Sequence, residues 1–340
     1  MIILISTKNL KIMRYRFFLT LVLTLLGCHN QNRPAFKHIA KDPVVLAPGL
    51  KGEWDAGALG SMTVVKVKDT FHMYYEAWGE LSKEGTQSEY QTLQIGHATS
   101  KDGIKWSKDP GNPAIAQGDS GEWDSDGTWD PFVIYKDGIF KMWYGGNINF
   151  RGAWGYATSI DGTNFEKKGK ISSFGDFEDV HVVHNPYDNK YYLFYWDRAK
   201  APWDAVMDGL PSPSGLVVAV SNNEINFDFQ NAKCLEVKGQ TWPVKYSQVI
   251  RENDLWVMIY GEAVTRGNPS STGIATSSDL INWTKRVFPV FKGHDSEIIK
   301  VSEDLWYLYY APDAYFDMPG CDIRLAIYKG KLSKLYEKEE

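Results

Sequence analysis

The chain has 340 residues, 43% of them hydrophobic and 23% charged, with a net charge of −5. That balance excludes a disordered chain, a collagen-like repeat and a protein with many membrane spans. With 37 basic against 42 acidic residues, no positive excess is available for phosphate backbones, and nucleic acid is not an expected partner.

The first predicted element is a targeting segment. Lys8, Lys11, Arg14 and Arg16 precede an apolar run from Phe17 to Leu26, and Gly27-Cys28 follows. A basic region, a short apolar core and a small residue before the cut define a secretory signal, and the run is too short to span a bilayer comfortably. Leu25-Leu26-Gly27-Cys28 resembles a bacterial lipobox, which implies lipidation at Cys28. The expectation is residues 1–28 as signal peptide, 29–42 as linker, 43–335 as one folded domain and 336–340 as a charged tail. The protein is then exported and touches the cell-envelope membrane only through its lipid anchor; its oligomeric state is left open. Cys234 and Cys321 stand too far apart to form a metal-ligand set or a disulfide framework. Buried free thiols are expected.

The body carries an internal repeat, which has to be read before anything else. Five strands share an aromatic pattern: Phe71-His72-Met73-Tyr74-Tyr75, Phe140-Lys141-Met142-Trp143-Tyr144, Tyr191-Tyr192-Leu193-Phe194-Tyr195, Trp256-Val257-Met258-Ile259-Tyr260 and Trp306-Tyr307-Leu308-Tyr309-Tyr310. Tight polar turns such as Asp137-Gly138 and Asn253-Asp254 come before them, which is hairpin chemistry. Ala98, Ala157, Ala219, Ala275 and Ala326 mark a following strand and recur 59, 62, 56 and 51 residues apart. Five such units predict an all-β, five-bladed β-propeller with four-stranded antiparallel blades. Trp54-Asp55 and Trp123-Asp124 open blades and lie too far apart for a shorter Trp-Asp repeat.

In a propeller the starts of the inner strands and the long loops between second and third strands share one face. Those loops are expected near 76–94, 146–153, 196–215, 261–272 and 311–321, and function concentrates there. The strand starts supply Asp55 and Ser61; Asp124, Asp126, Trp129 and Asp130; Glu178, Asp179 and His181; Trp242, Lys245, Tyr246 and Gln248; and His294, Asp295 and Glu297. Several carboxylates gathered out of water acquire separated pKa values, as acid–base chemistry requires. Glycoside cleavage uses such a set, one carboxylate activating water and a protonated one releasing the leaving group.

The opening Asp130-Pro131-Phe132-Val133-Ile134-Tyr135-Lys136-Asp137-Gly138 resembles the general-base blade of the five-bladed propeller glycosidases, the arabinanase, xylosidase and invertase-like superfamily that includes glycoside hydrolase family 43. That resemblance implies Asp130 as base, Asp179 as the carboxylate that orients and tunes the acid, and Glu297 as the acid. Two departures stand out: the acids fall in blades 2, 3 and 5, and Glu297 lacks the Gly-Pro that often follows the acid. His294 beside Glu297 is similar to a feature of family 117.

Each residue also has a plainer reading. Asp55, Asp124 and Asp126 fit loop-holding hydrogen bonds, with Asp126 a substitute base. His181 fits either a core histidine or a ligand of an ion or sugar hydroxyl. Trp78, Trp129, Trp203 and Trp242 are candidate stacking platforms, and Glu178, His181, Gln248 and His294 candidate substrate contacts. The expected function is hydrolysis of terminal sugars from plant or algal oligosaccharides, by inversion, with no required cofactor and no catalytic metal; a structural calcium or sodium ion in the channel is compatible with the fold. Two other readings stay open. One is a glycoside phosphorylase, for which Lys245, Arg266 and His294 are the evident basic supply; the other is a non-catalytic glycan-binding propeller.

Overall fold

A computed structural model describes residues 34–80, 92–149, 151–175, 177–197, 199–200, 215–239, 244–262, 271–312 and 320–337, with the side chains of 245–247, 262, 288 and 294 left aside. Cys28, Trp203, Trp242 and Arg266 lie outside the described residues. Among the described residues no helix is long and apolar enough to cross a membrane.

The unit Phe36–Glu340 contains five separate sheets. Each blade starts with an inner strand: Ala58–Val67, Gly127–Lys136, Phe177–Asn185, Val244–Glu252 and His294–Ser302. A hairpin leads from each into the aromatic strand (Thr70–Trp78, Ile139–Ile148, Lys190–Asp197, Leu255–Glu262, Leu305–Ala311), and the alanine-marked strand follows. Asp137 and Gly138 both have positive φ, 56° and 81°, which is the primed turn whose twist matches a two-residue hairpin.

Why five sheets make one ring is visible in the packing. Each hydrophobic cluster is built from two consecutive blades. Tyr74 and Ile95 of blade 1 meet Val133, Phe140 and Met142 of blade 2, and Trp143 and Trp154 meet Val182, Leu193 and Val217. Blades 3 and 4 join through Phe194, Val218, Met258 and Trp283, and blades 4 and 5 through Ile259, Ile274, Ile298 and Leu308. Blade 5 closes on blade 1 through Tyr309, Leu325, Met73 and Ala98. A sheet covered on both faces needs an apolar residue at nearly every position, and the aromatic strands have that pattern. The five repeated alanines sit where the facing blade leaves no room, and all are fully buried.

In three of the five blades the fourth residue of the aromatic motif stitches neighbouring blades. The Tyr74 hydroxyl donates to the Gly162 carbonyl, the Trp143 indole to the Glu224 carbonyl and the Tyr309 hydroxyl to the Gly103 carbonyl. Each acceptor lies in a turn after the next blade's third strand, held by a serine–aspartate (or asparagine) clasp such as Ser100–Asp102 or Ser159–Asp161.

Several details differ from expectation. Lys37–His38, inside the stretch expected as a linker, pairs with Ile327 and Ala326, and Val44–Leu46 pairs with the same final strand. The amino-terminal segment therefore covers the outer edge of blade 5, which removes an exposed edge. Blade 4 has Val237–Lys238 as an outer strand running parallel to Trp283–Lys292, so not every blade is purely antiparallel. Blade 2 joins its second and third strands directly after Ile148, which pairs with Arg151, with no long loop. Tyr336, expected in the charged tail, is buried with Leu332 and Leu335. Cys321 is a buried free thiol as expected, but the free thiol Cys234 is exposed.

Candidate active site at the channel mouth

The inner strands share an irregularity near their starts. The third residue of each aromatic motif pairs with an apolar residue of the inner strand: Met73 with Val64, Met142 with Val133, Leu193 with Val182, Met258 with Val249 and Leu308 with Ile298. Counting back from this common level aligns the blades without ambiguity. Three residues earlier stand Ser61, Asp130, Asp179, Tyr246 and Asp295; one residue earlier stand Thr63, Phe132, His181, Gln248 and Glu297.

At the first of these levels in blades 2 to 5, two residues oppose one, because the register slips between Trp129 and Phe132, Glu178 and His181, Lys245 and Gln248, and His294 and Glu297. Such bulges re-aim a side chain near sites. Asp130, Asp179 and Asp295 all have positive φ, 44°, 58° and 47°, a region that aspartate tolerates better than most residues. In blade 1 the slip falls one step earlier, opposite Glu76.

All five blades contribute to one pocket here, and Ser61, Asp130, Asp179, Gln248, Asp295 and Glu297 all line it. Asp130 is bonded from blades 1 and 3. The Asp179 backbone N–H donates to Asp130 Oδ2 at 3.1 Å, the Asp130 N–H donates to Glu76 Oε2 at 3.3 Å, and the side chains of Ser61 and Glu76 bond its carboxyl. Burial raises the Asp130 pKa above the ordinary carboxylate range, and the negative charge of Asp295 adds to that, while the bonds from Ser61 and Asp179 favour its ionised form.

The level two residues below is bonded from blade to blade. His181 Nε2 donates to the Val249 carbonyl of blade 4 at 2.9 Å; Gln248 accepts from the Ile298 N–H of blade 5 and donates to its carbonyl, at 2.8 and 2.9 Å. Glu297 Oε1 accepts from the Val64 N–H and the Thr63 hydroxyl of blade 1, at 2.9 and 3.1 Å. Because a carbonyl only accepts, the proton of neutral His181 is on Nε2, and burial pushes the imidazole's pKa down to about 3. Burial lifts Glu297 to about 8, against the two bonds that favour its anion. Its carboxyl is therefore protonated at neutral pH.

The other expected residues fall as follows. Asp179 lies against Asp130, in the blade next to it, whereas Glu297 belongs to blade 5. Glu178 is half-buried beside the bulge, and Trp129 half-buried, its indole lying over Gly145, where an added Cβ would come within 2.4 Å of the indole nitrogen. Trp78, a candidate platform, is buried with Ala58, Ala311 and Cys321. His294 pairs with Ala311 through its backbone. Asp55 and Asp124 do hold loops: Asp55 takes the Lys108 ammonium and the Tyr75 hydroxyl, and Asp124 takes those of Lys167 and Tyr144. Asp126 accepts from the Asn149 N–H. Among the described residues, no group of three or more His, Cys, Asp or Glu has the arrangement of a metal site.

Sequence reading misses one residue of the site, Glu76, and gives Asp295 no role. Glu76 carries no motif; its signal is that the equivalent residues in the other blades are Gly145, Trp196, Gly261 and Ala311, none of them ionisable. Asp295 was visible as a strand-start acid but out of phase, and counting from the aromatic motif would have aligned it with Asp130.

No family model matches the chain. The uncharacterized protein Rv1502 of Mycobacterium tuberculosis is 27% identical over 154 residues, which is 42% of this chain and 48% of that one. Sucrose-6-phosphate hydrolase of Escherichia coli is 32% identical over 118 residues, 30% of this chain and 21% of that one. The chain thus spans less than half the length of the curated relatives it matches first. Solved structures match more completely. A glycosyl hydrolase from Bacteroides ovatus superposes with a TM-score of 0.63 at 15% identity, over 87% of this chain and 94% of that one. The β-1,2-mannobiose phosphorylase of Listeria innocua gives 0.61 at 16%, over 85% and 96%, and a thermostable family-43 glycoside hydrolase 0.59 at 16%, over 79% and 89%. At such identities the likeness establishes the fold, and this chain folds as the five-bladed propeller shared by glycoside hydrolases and mannoside phosphorylases.

Proposed function

We propose that the protein is a glycosidase that hydrolyses terminal glycosidic bonds of oligosaccharides at the channel mouth. Asp130 removes a proton from the attacking water, and a carboxyl of blade 5 protonates the departing oxygen. One observation carries the reading: acids distant in sequence, in blades 2, 3 and 5, line a single pocket in which burial raises the proton affinities of Asp130 and Glu297. Asp130 has the connections a base needs, since donors from Ser61 and Asp179 hold its carboxylate in one orientation. Inversion is the expected course, with both carboxyls acting in one displacement. Export through the amino-terminal signal and anchoring through a lipid on Cys28 would place this activity in the cell envelope.

The test is a panel of aryl glycosides and of plant and algal oligosaccharides, incubated with the purified protein with and without inorganic phosphate. Sugar released equally in both conditions supports hydrolysis. Release that requires phosphate and yields a sugar phosphate replaces hydrolysis with phosphorolysis. No release by the folded protein on any substrate, with binding retained, favours a glycan-binding propeller.

A further inference from the structure

Blade 5 offers two carboxyls to the pocket, and the fivefold register separates their roles. Resting on the glycosidase reading above, we infer that Asp295, in phase with Asp130 and Asp179 at the bulge level, is the proton donor, and that Glu297 is an inter-blade stitch.

The geometry on the Glu297 side is repeated. His181, Gln248 and Glu297 occupy the same level of successive blades, and each bonds the main chain of the following inner strand at the same height: Val249, Ile298 and Val64. Gln248 does this with an amide. Glu297, buried and neutral at pH 7, presents a carbonyl-type oxygen to the Val64 N–H just as Gln248 presents its amide oxygen to the Ile298 N–H. Two of its four counterparts, His181 and Gln248, are thus uncharged groups engaged in joining blades.

On the Asp295 side the shared features are those of Asp130. Both residues head a two-for-one bulge, both have positive φ, and both are buried at the pocket wall. Their charges interact, Asp295 making ionisation of Asp130 less favourable. Blade 1 separates blades 2 and 5 in the ring, and its Ser61 and Glu76 both bond Asp130. Both carboxyls line the one pocket, and the glycosidic bond would lie there. In the step, the Asp295 carboxyl proton passes to the glycosidic oxygen as the bond from the anomeric carbon to that oxygen breaks, the electron pair leaving with oxygen. The water oxygen bonds the anomeric carbon and gives its proton to Asp130; exchange with solvent restores both groups.

The experiment compares wild type, Asp295→Asn and Glu297→Gln on two glycosides of the same sugar, one with a poor alkyl leaving group and one with 2,4-dinitrophenolate, which departs without protonation. Asp295→Asn is expected to lose about 10²- to 10³-fold in kcat on the alkyl glycoside and less than about tenfold on the dinitrophenyl glycoside, while Glu297→Gln keeps the leaving-group dependence of wild type. Equal losses on both substrates for Asp295→Asn, or the selective loss appearing in Glu297→Gln, overturns the assignment. If Asp295→Asn does not fold, Asp295→Glu is read instead. A shifted basic limb of its pH–rate profile supports the donor role, and an unmoved limb overturns it. Failure of the glycosidase reading itself looks different: wild type then cleaves neither glycoside.

Discussion

Two levels of the same inner strands, two residues apart, do different work. At the upper level the backbone breaks its ladder and aspartates take up left-handed conformations around an open pocket. At the lower level regular pairing resumes, and His181, Gln248 and Glu297 spend their polar atoms on the neighbouring blade. Of the two levels, the upper one holds the left-handed aspartates and the lower one is bonded from blade to blade. A site held by rigid strands rather than by loops keeps its carboxyls in place before substrate arrives.

That contrast makes graded predictions. Asp179→Ala removes a rim side chain next to Asp130, and kcat should fall about 100-fold with the melting temperature nearly unchanged; a fall in melting temperature without a change in kcat would move Asp179 into the structural layer.

The lower level should show itself in the pH dependence of stability. Folded Glu297 keeps its proton up to about pH 8, whereas its ordinary value is 4.5, so between these values the unfolded chain binds fewer protons and stability falls as pH rises. His181, held down to about 3 from 6.5, acts oppositely: its contribution is lost as pH falls from 6.5 toward 3. Melting curves across pH 4 to 9 should therefore show that Glu297→Gln flattens the decline between about pH 5 and 8 and leaves the acid side unchanged. The pair His72 and His97, 3.1 Å apart with burial lowering both pKa values and His72 to about 4, adds to the acid-side loss.

Smaller effects belong to the scaffold. Asp124→Asn weakens the bonds to Lys167 and Tyr144 and should cost about 2 kcal/mol in urea unfolding. Tyr74→Phe leaves the Gly162 carbonyl without its hydroxyl donor and should cost about 1 kcal/mol, with kcat unaffected in both variants.

The fold was largely legible because its strands are written in aromatic residues and in alanines packed against the preceding blade, a pattern repeated five times along the chain. What escaped reading was short or out of phase. Lys37–His38 and Val44–Leu46 are too brief to show alternation, and only their pairing with the last strand reveals them. The clip around Asp55 recurs around Asp124, Gly49-Leu50-Lys51-Gly52-Glu53-Trp54-Asp55 matching Gly118-Asp119-Ser120-Gly121-Glu122-Trp123-Asp124. In both copies the first glycine N–H donates to the aspartate carbonyl. In the site, Asp130 and Asp179 were legible from the apolar run that follows each. In blade 5 the same rule selects Glu297, the last acid before Ile298-Ile299, because the bulge that brings Asp295 into phase adds a residue that alternation alone does not reveal. Glu76 was invisible since it reaches Asp130 from a different blade.

The central claim is tested most directly by turnover of Asp130→Asn on whichever glycoside the wild type cleaves, measured beside its melting temperature. A loss of about 10³-fold or more in kcat with melting preserved is the expected result, and wild-type turnover in the folded variant contradicts it.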